Sequence, residues 1–246
     1  MIHYHGTRIA MSDAAAALVL SGRHALVSFA DPSQLGIVAE VCQSFVFDNG
    51  AFSAWRGGSP ITDWASYYAW VGEWVRHPGF DWAIIPDVID GDEEANDALV
   101  RTWPHGNHGV PVWHLHESLA RLDRLTREWP RVALGSSGEW GDPGTPKWWL
   151  RMTEVMRIAC DGGKPRAKLH GLRMLNPEVF SRIPFASADS TNVGRNAGNE
   201  GRWQGEYAPA SLAARGVVLA ERIESVQSAA VWVAPPTQTD LFGRIA

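Results

Sequence analysis

Eight short apolar runs recur along the chain, each followed by a segment of helical or loop character, and no linker or shift of composition divides them. They are IHYHG (2–6), ALVSF (25–29), SFVFDNG (44–50), WAIIPDV (82–88), VPVWHLH (110–116), RVALGSS (131–137), AKLHGLRM (167–174) and PFASADS (184–190). Runs of this length, rich in β-branched and aromatic residues, suit strands buried on both faces. Between them, Ser12 and Asp13 can cap an alanine-rich run. Leu119, Leu122 and Leu125 form one helical stripe, and Met152, Val155, Met156 and Ala159 form another. A long pattern from Ser211 to about Ala229 predicts a closing helix. Strands alternating with helices in this way predict an α/β fold, a single (β/α)8 TIM-type barrel over about residues 1–200 with a closing segment over about 201–246. A doubly wound open sheet is the competing architecture, but no G-x-G-x-x-G or P-loop supports a nucleotide-binding version of it.

Composition narrows the partners. With 45% hydrophobic residues in 246, a large core is affordable, and a net charge of −5 excludes a coat of basic residues while permitting a local basic groove. The two cysteines, Cys42 and Cys160, make neither a disulfide framework nor a zinc site, and are read as buried free thiols; no metal or cofactor is expected. The longest apolar run, AAAALVL at 14–20, is too short to span a bilayer, and nothing resembles a signal peptide. The expectation is a cytoplasmic protein with no membrane partner. Of the 13 tryptophans, most fall in helical patterns; Trp64, Tyr67, Tyr68, Val71, Trp74 and Val75 recur at helix spacing and are read as core.

In a barrel, the C-terminal ends of the strands converge on one face. There the sequence places Asp48, Asp87, His116, Ser136, His170 or Arg173, and Asp189. A lone Asp after a strand reads as a turn or helix cap. Three on one rim, with two histidines, read as a shared pocket. Such a group suits chemistry in which positive charge develops, or in which the N–H groups of a base are read.

The segment FDNGAFSAW (47–55) resembles the D-S-G-G-F-Q segment of tRNA-guanine transglycosylases. In FASADSTNVGRNAG (185–198), Asp189 is followed six residues later by Arg195, Asn196 and Ala197, as that family's nucleophilic Asp is followed by Arg-Asn-Ala. The likeness is to the compact relatives of phages and genomic islands, the DpdA-type enzymes that insert 7-deazaguanines into DNA. It implies that Asp189 is the nucleophile and Asp48 the general acid/base, with Asp87 reading the base and Phe52 covering one of its faces. It places His170, in LHG (169–171), against the other face, and Gly135, in LGSSGE (134–139), in the loop whose backbone reads the base. His116 lies on the strand that carries a base-reading Gln in the family, and Asn49 beside Asp48 joins the base-binding set. Arg195, Arg202 and Arg56 are the expected nucleic-acid contacts, and Trp55 and Trp203 flank the site. The basic run Lys164, Arg166 and Lys168 is read as a solvated face. The family's zinc site of three Cys and one His is missing, since no Cys or His follows residue 170. The closing helix must therefore dock by packing alone, and DNA is favoured over tRNA as the polymer.

The chemistry asks for these residue types on its own account. Base exchange needs a nucleophile at the anomeric carbon and an acid for the departing base, and a carboxylate can serve as either. An ionised Asp accepts the N–H donors of a purine edge, and the base must leave its stack to be reached. Two other classes compete: a barrel glycoside hydrolase with paired carboxylates, and a catalytically silent nucleic-acid-binding barrel.

Overall fold

A computed structural model describes residues 1–9, 12–205 and 207–234. Its strands are β1 (Ile2–Gly6), β2 (His24–Ser28), β3 (Ser44–Asp48), β4 (Phe80–Ile84), β5 (Gly109–Val110), β6 (Val112–His114), β7 (Arg131–Gly135), β8 (Cys160–Asp161), β9 (Lys164–Pro165), β10 (Lys168–Gly171) and β11 (Ser187–Ser190). β8 and β9 pair only with each other, as a small antiparallel hairpin. The other nine form one parallel sheet in the order β5-β4-β3-β2-β1-β11-β10-β7-β6. Its two terminal strands flank Pro111, so the sheet is barrel-like and nearly closed. At this seam Ile85 N–H donates to the Val110 carbonyl at 2.9 Å and Ala133 N–H to the Pro111 carbonyl at 2.9 Å. Proline has no N–H to offer a ladder, which is why the run VPVWHLH divides there.

The helices are α1 (Asp13–Leu20), α2 (Leu35–Val41), α3 (Ala51–Arg56), α4 (Ala65–Trp74), α5 (Glu93–Thr102), α6 (Leu119–Glu128), α7 (Pro146–Ala159), α8 (Pro177–Phe180), α9 (Asn192–Asn196) and α10 (Leu212–Glu224). Ser12, Asp92, Ser118, Thr145, Asn176 and Ser211 each accept a backbone N–H as N-caps. The sheet buries both faces. Tyr4, Leu26, Val46, Trp82, Ile84, Val110, Val112 and Ala133 pack inside it. A larger shell, including the Met152, Val155, Met156 and Ala159 stripe of α7, fills the space between sheet and helices. Trp64, Tyr67 and Val71 are buried, with Tyr68, Trp74 and Val75 packed against them. Trp203 is buried as well, and Trp55 leans on Phe52 at a centroid distance of 5.8 Å. Cys42 and Cys160 are free but only partly buried.

The closing helix is shorter than its pattern and ends at Glu224. It does not dock by packing alone. Glu224 accepts from Arg23 Nε at 3.0 Å and lies 2.9 Å from Nε2 of the buried His5. Gly216 sits against Val19, where a Cβ would come within 2.8 Å. No helix among the described residues is long and apolar enough to cross a membrane.

Candidate active site

At the C-terminal ends of the strands lies a cavity of about 460 Å³, and Asp48, Asp87 and Asp189 all line it. Each comes from a different part of the sheet: Asp48 ends β3, Asp87 follows β4 and Asp189 stands on β11.

Asp48 accepts from Ser28 Oγ–H at 2.8 Å and from Gly50 N–H at 3.1 Å, both through Oδ2. Gly50 holds φ 79° as the N-cap of α3, and a Cβ there would meet Ala30 N at 3.0 Å, so glycine is required for this approach. Burial raises the Asp48 pKa from 3.8 to about 6; the charges of Asp189 and Asp87 push the same way, against the two hydrogen bonds.

Asp87 is clamped at both oxygens. Asn49 Nδ2 donates to Oδ1 at 2.7 Å, and His114 Nε2 lies 2.8 Å from Oδ2. Asn49 lines the cavity, but it also donates to the Ile85 carbonyl at 3.1 Å and accepts from Ala51 N–H at 2.8 Å. Its polar atoms are engaged in holding Asp87 and the start of α3.

Asp189 accepts the Arg173 N–H at Oδ1, at 3.0 Å, and His170 Nε2 lies 3.2 Å from the same oxygen. Arg173 adopts φ 59°, a left-handed conformation that is costly for a residue with a Cβ. Its guanidinium lies 3.8 Å from the Phe52 ring centroid and donates to the Ser136 carbonyl. Arg173 thus spans the mouth from β10 to α3 and to the loop after β7.

Placement differs from the sequence expectation at four residues. His116 is exposed and outside the cavity lining, with Nε2 3.3 Å from the Gly91 carbonyl. The strand ends two residues earlier, so His114, buried and cavity-lining, takes the place expected of His116. The side chains of 114 and 116 alternate onto the same face, and only the point where the ladder stops separates them. His170 is wholly buried beside Asp189, its ring 4.8 Å edge-on from Trp82, and Leu172 lines the cavity instead. One face of Phe52, which does line the cavity, is covered by Arg173. Arg202 is exposed in the turn Glu200–Trp203, away from the lining.

Gly135 lines the cavity, and a Cβ there would come within 2.8 Å of His114 Nδ1, a buried atom with no partner among the described residues. Arg56 and Arg195 stand at the mouth together with Arg8 and Arg173. Asp31 lines the cavity too, 3.7 Å from Arg8, so four guanidinium groups and four carboxylates meet there, a lining suited both to anionic groups and to N–H donors. In the basic run, Arg166 is paired with Asp123 and Asp161. No group of three or more His, Cys, Asp or Glu among the described residues is arranged to hold a metal ion. Neither the models of known protein families nor the curated proteins compared with this sequence give a match.

Proposed function

We propose that the protein is a base-exchanging transglycosylase that replaces guanine in DNA with a 7-deazaguanine such as 7-cyano-7-deazaguanine. The observation that carries this reading is the convergence of Asp48, Asp87 and Asp189 on one cavity. The fold proposed is a (β/α)8 barrel, counting β5 and β6 as one strand broken at Pro111, and the setting proposed is the cytoplasm.

The roles follow from the surroundings of each carboxylate. Asp189 attacks C1′ of the flipped nucleotide; its C–O bond forms as the bond from C1′ to the guanine nitrogen breaks, and the electron pair leaves with the base. Asp48, with its pKa raised to about 6, supplies the proton that the departing guanine takes up. The incoming 7-deazaguanine returns a proton to Asp48, attacks C1′ and frees Asp189. Asp87, fixed by Asn49 and His114, accepts from the N–H edge of the base. Arg56 and Arg195 face the phosphates, while Arg8 pairs with Asp31 and Arg173 is held against Phe52 and the Ser136 carbonyl. Those two arginines favour a polynucleotide over the neutral sugar of a glycoside hydrolase, which would use the same pair of carboxylates.

Incubation with labelled guanine and, separately, duplex DNA, single-stranded DNA and bulk tRNA at matched salt tests the reading. Label is expected in DNA. Incorporation into tRNA alone would transfer the proposal to tRNA, and no incorporation into any polymer would overturn it.

A further inference from the structure

A line of polar groups runs from the far end of the sheet to Asp189. Arg131 opens β7, at the end opposite the cavity, and its Nη1 donates to Ser187 Oγ at 3.2 Å. Ser187 Oγ lies 2.9 Å from His170 Nδ1, and His170 Nε2 lies 3.2 Å from Asp189 Oδ1. Sheet register puts them in line: His170 is paired with Ser187, and Ser187 and Asp189 alternate onto the same face of β11. Ser187 and His170 are fully buried.

We propose that Arg131, Ser187 and His170 are positioning residues that form a one-way hydrogen-bond chain, holding Asp189 by Oδ1 as a carboxylate and leaving Oδ2 as the attacking oxygen. The direction is fixed at both ends. A guanidinium only donates, and an ionised carboxylate only accepts. Burial holds the His170 pKa below its ordinary value, opposed by Asp189 and assisted by the Arg131 charge, so the ring carries one hydrogen. That hydrogen must sit on Nε2 to face Asp189. Nδ1 then accepts, and Ser187, itself accepting from Arg131, must be the donor. At Asp189 the chain meets the Arg173 N–H on the same Oδ1. Among the described residues Oδ2 has no hydrogen-bond partner, and it is not one of the buried orphaned atoms, so it opens to the cavity. The attacking role of Oδ2 rests on the transglycosylase reading; the chain does not.

15N NMR of histidine-labelled protein reads the chain directly. The wild-type protein is expected to show His170 protonated at Nε2, with an unprotonated, hydrogen-bonded Nδ1. In Ser187→Ala, which removes the donor, the Nδ1 resonance is expected to move to that of an unbonded imidazole nitrogen. In Arg131→Met the donor stays but is no longer held, so a smaller shift in the same direction is expected, with Arg131→Lys restoring the wild-type position. A proton on Nδ1 in the wild type, or a His170 spectrum unmoved by Ser187→Ala, overturns the chain. In exchange assays Arg131→Met is expected to slow glycosyl-enzyme formation by about tenfold, as loss of an outer partner does at metal sites, with base affinity unchanged and Arg131→Lys recovering the rate. An intact NMR signature with no exchange activity in the wild type would count against the transglycosylase reading alone.

Discussion

Asp48 and Asp189 share one cavity but not one environment, and the difference yields two predictions. The first concerns Asp189. Asp189→Asn keeps the shape and removes the nucleophile, so exchange should fall by orders of magnitude while the fold persists. Activity within a few-fold of wild type would reject the assignment. The second concerns pH. The folded-state pKa of Asp48, about 6, lies above its ordinary 3.8, so the folded protein binds this proton more tightly than the unfolded chain. The stabilising contribution of this group is present in acid and is lost as pH rises from about 4 to about 6. The same proton is the one given to guanine, so single-turnover guanine release should decline about tenfold per pH unit above 6. Asp48→Asn should abolish that inflection; its survival would place the acid elsewhere. At this scale the carboxylates were legible only as a group: a lone Asp closing an apolar run reads as a turn or helix cap, but three of them fall at strand ends. The buried histidines were not. His114 and His116 share a face by alternation, and the burial of His170 beside Asp189 depends on the pairing of β10 with β11, which no local pattern records.

Strand ends and glycines govern the element scale. Gly135 ends β7 against His114 Nδ1, so Gly135→Ala should displace the ring that clamps Asp87. Base affinity should then fall more than the rate of chemistry, a split that equilibrium binding and single-turnover kinetics would separate. An unaltered affinity would mean that Asp87 holds its place through Asn49 alone. A second element-level prediction concerns α10. Glu224 is held by His5 and Arg23. Burial pushes the Glu224 pKa up, but His5 and Arg23 outweigh it and leave it lowered, so the contribution to docking is present above pH about 4.5 and fades in more acid solution. Glu224→Gln should cost about 1–2 kcal/mol, between a surface and a buried pair, read as a loss of melting temperature at neutral pH. The sequence forecast the helix by its stripe but not this clamp, because Arg23 and Glu224 lie 201 residues apart and neither stands in a motif.

At the scale of the molecule, charge and topology set the behaviour. The chain is acidic at −5, yet four arginines gather at the cavity mouth. Binding to duplex DNA should therefore weaken steeply with salt, and Arg195→Ala should reduce the slope of log affinity against log salt by about 1. A salt-independent affinity would refute phosphate contacts at the mouth. The alternation of strand and helix was readable because it repeats along the chain; the Pro111 seam was not, since it appears only when β4 and β7 approach the same segment. β1 carries a further consequence, one of timing. It pairs with β2, nearby in sequence, but also with β11, more than 180 residues later, and its histidines meet Val226 and Glu224. During synthesis β1 emerges well before β11, so one of its hydrogen-bonding edges stays open while the more than 180 residues between them are made. Nascent chains released before residue 187 should be captured by chaperones or aggregate, and protease resistance should appear abruptly only once the last strand and the helix behind it have left the ribosome.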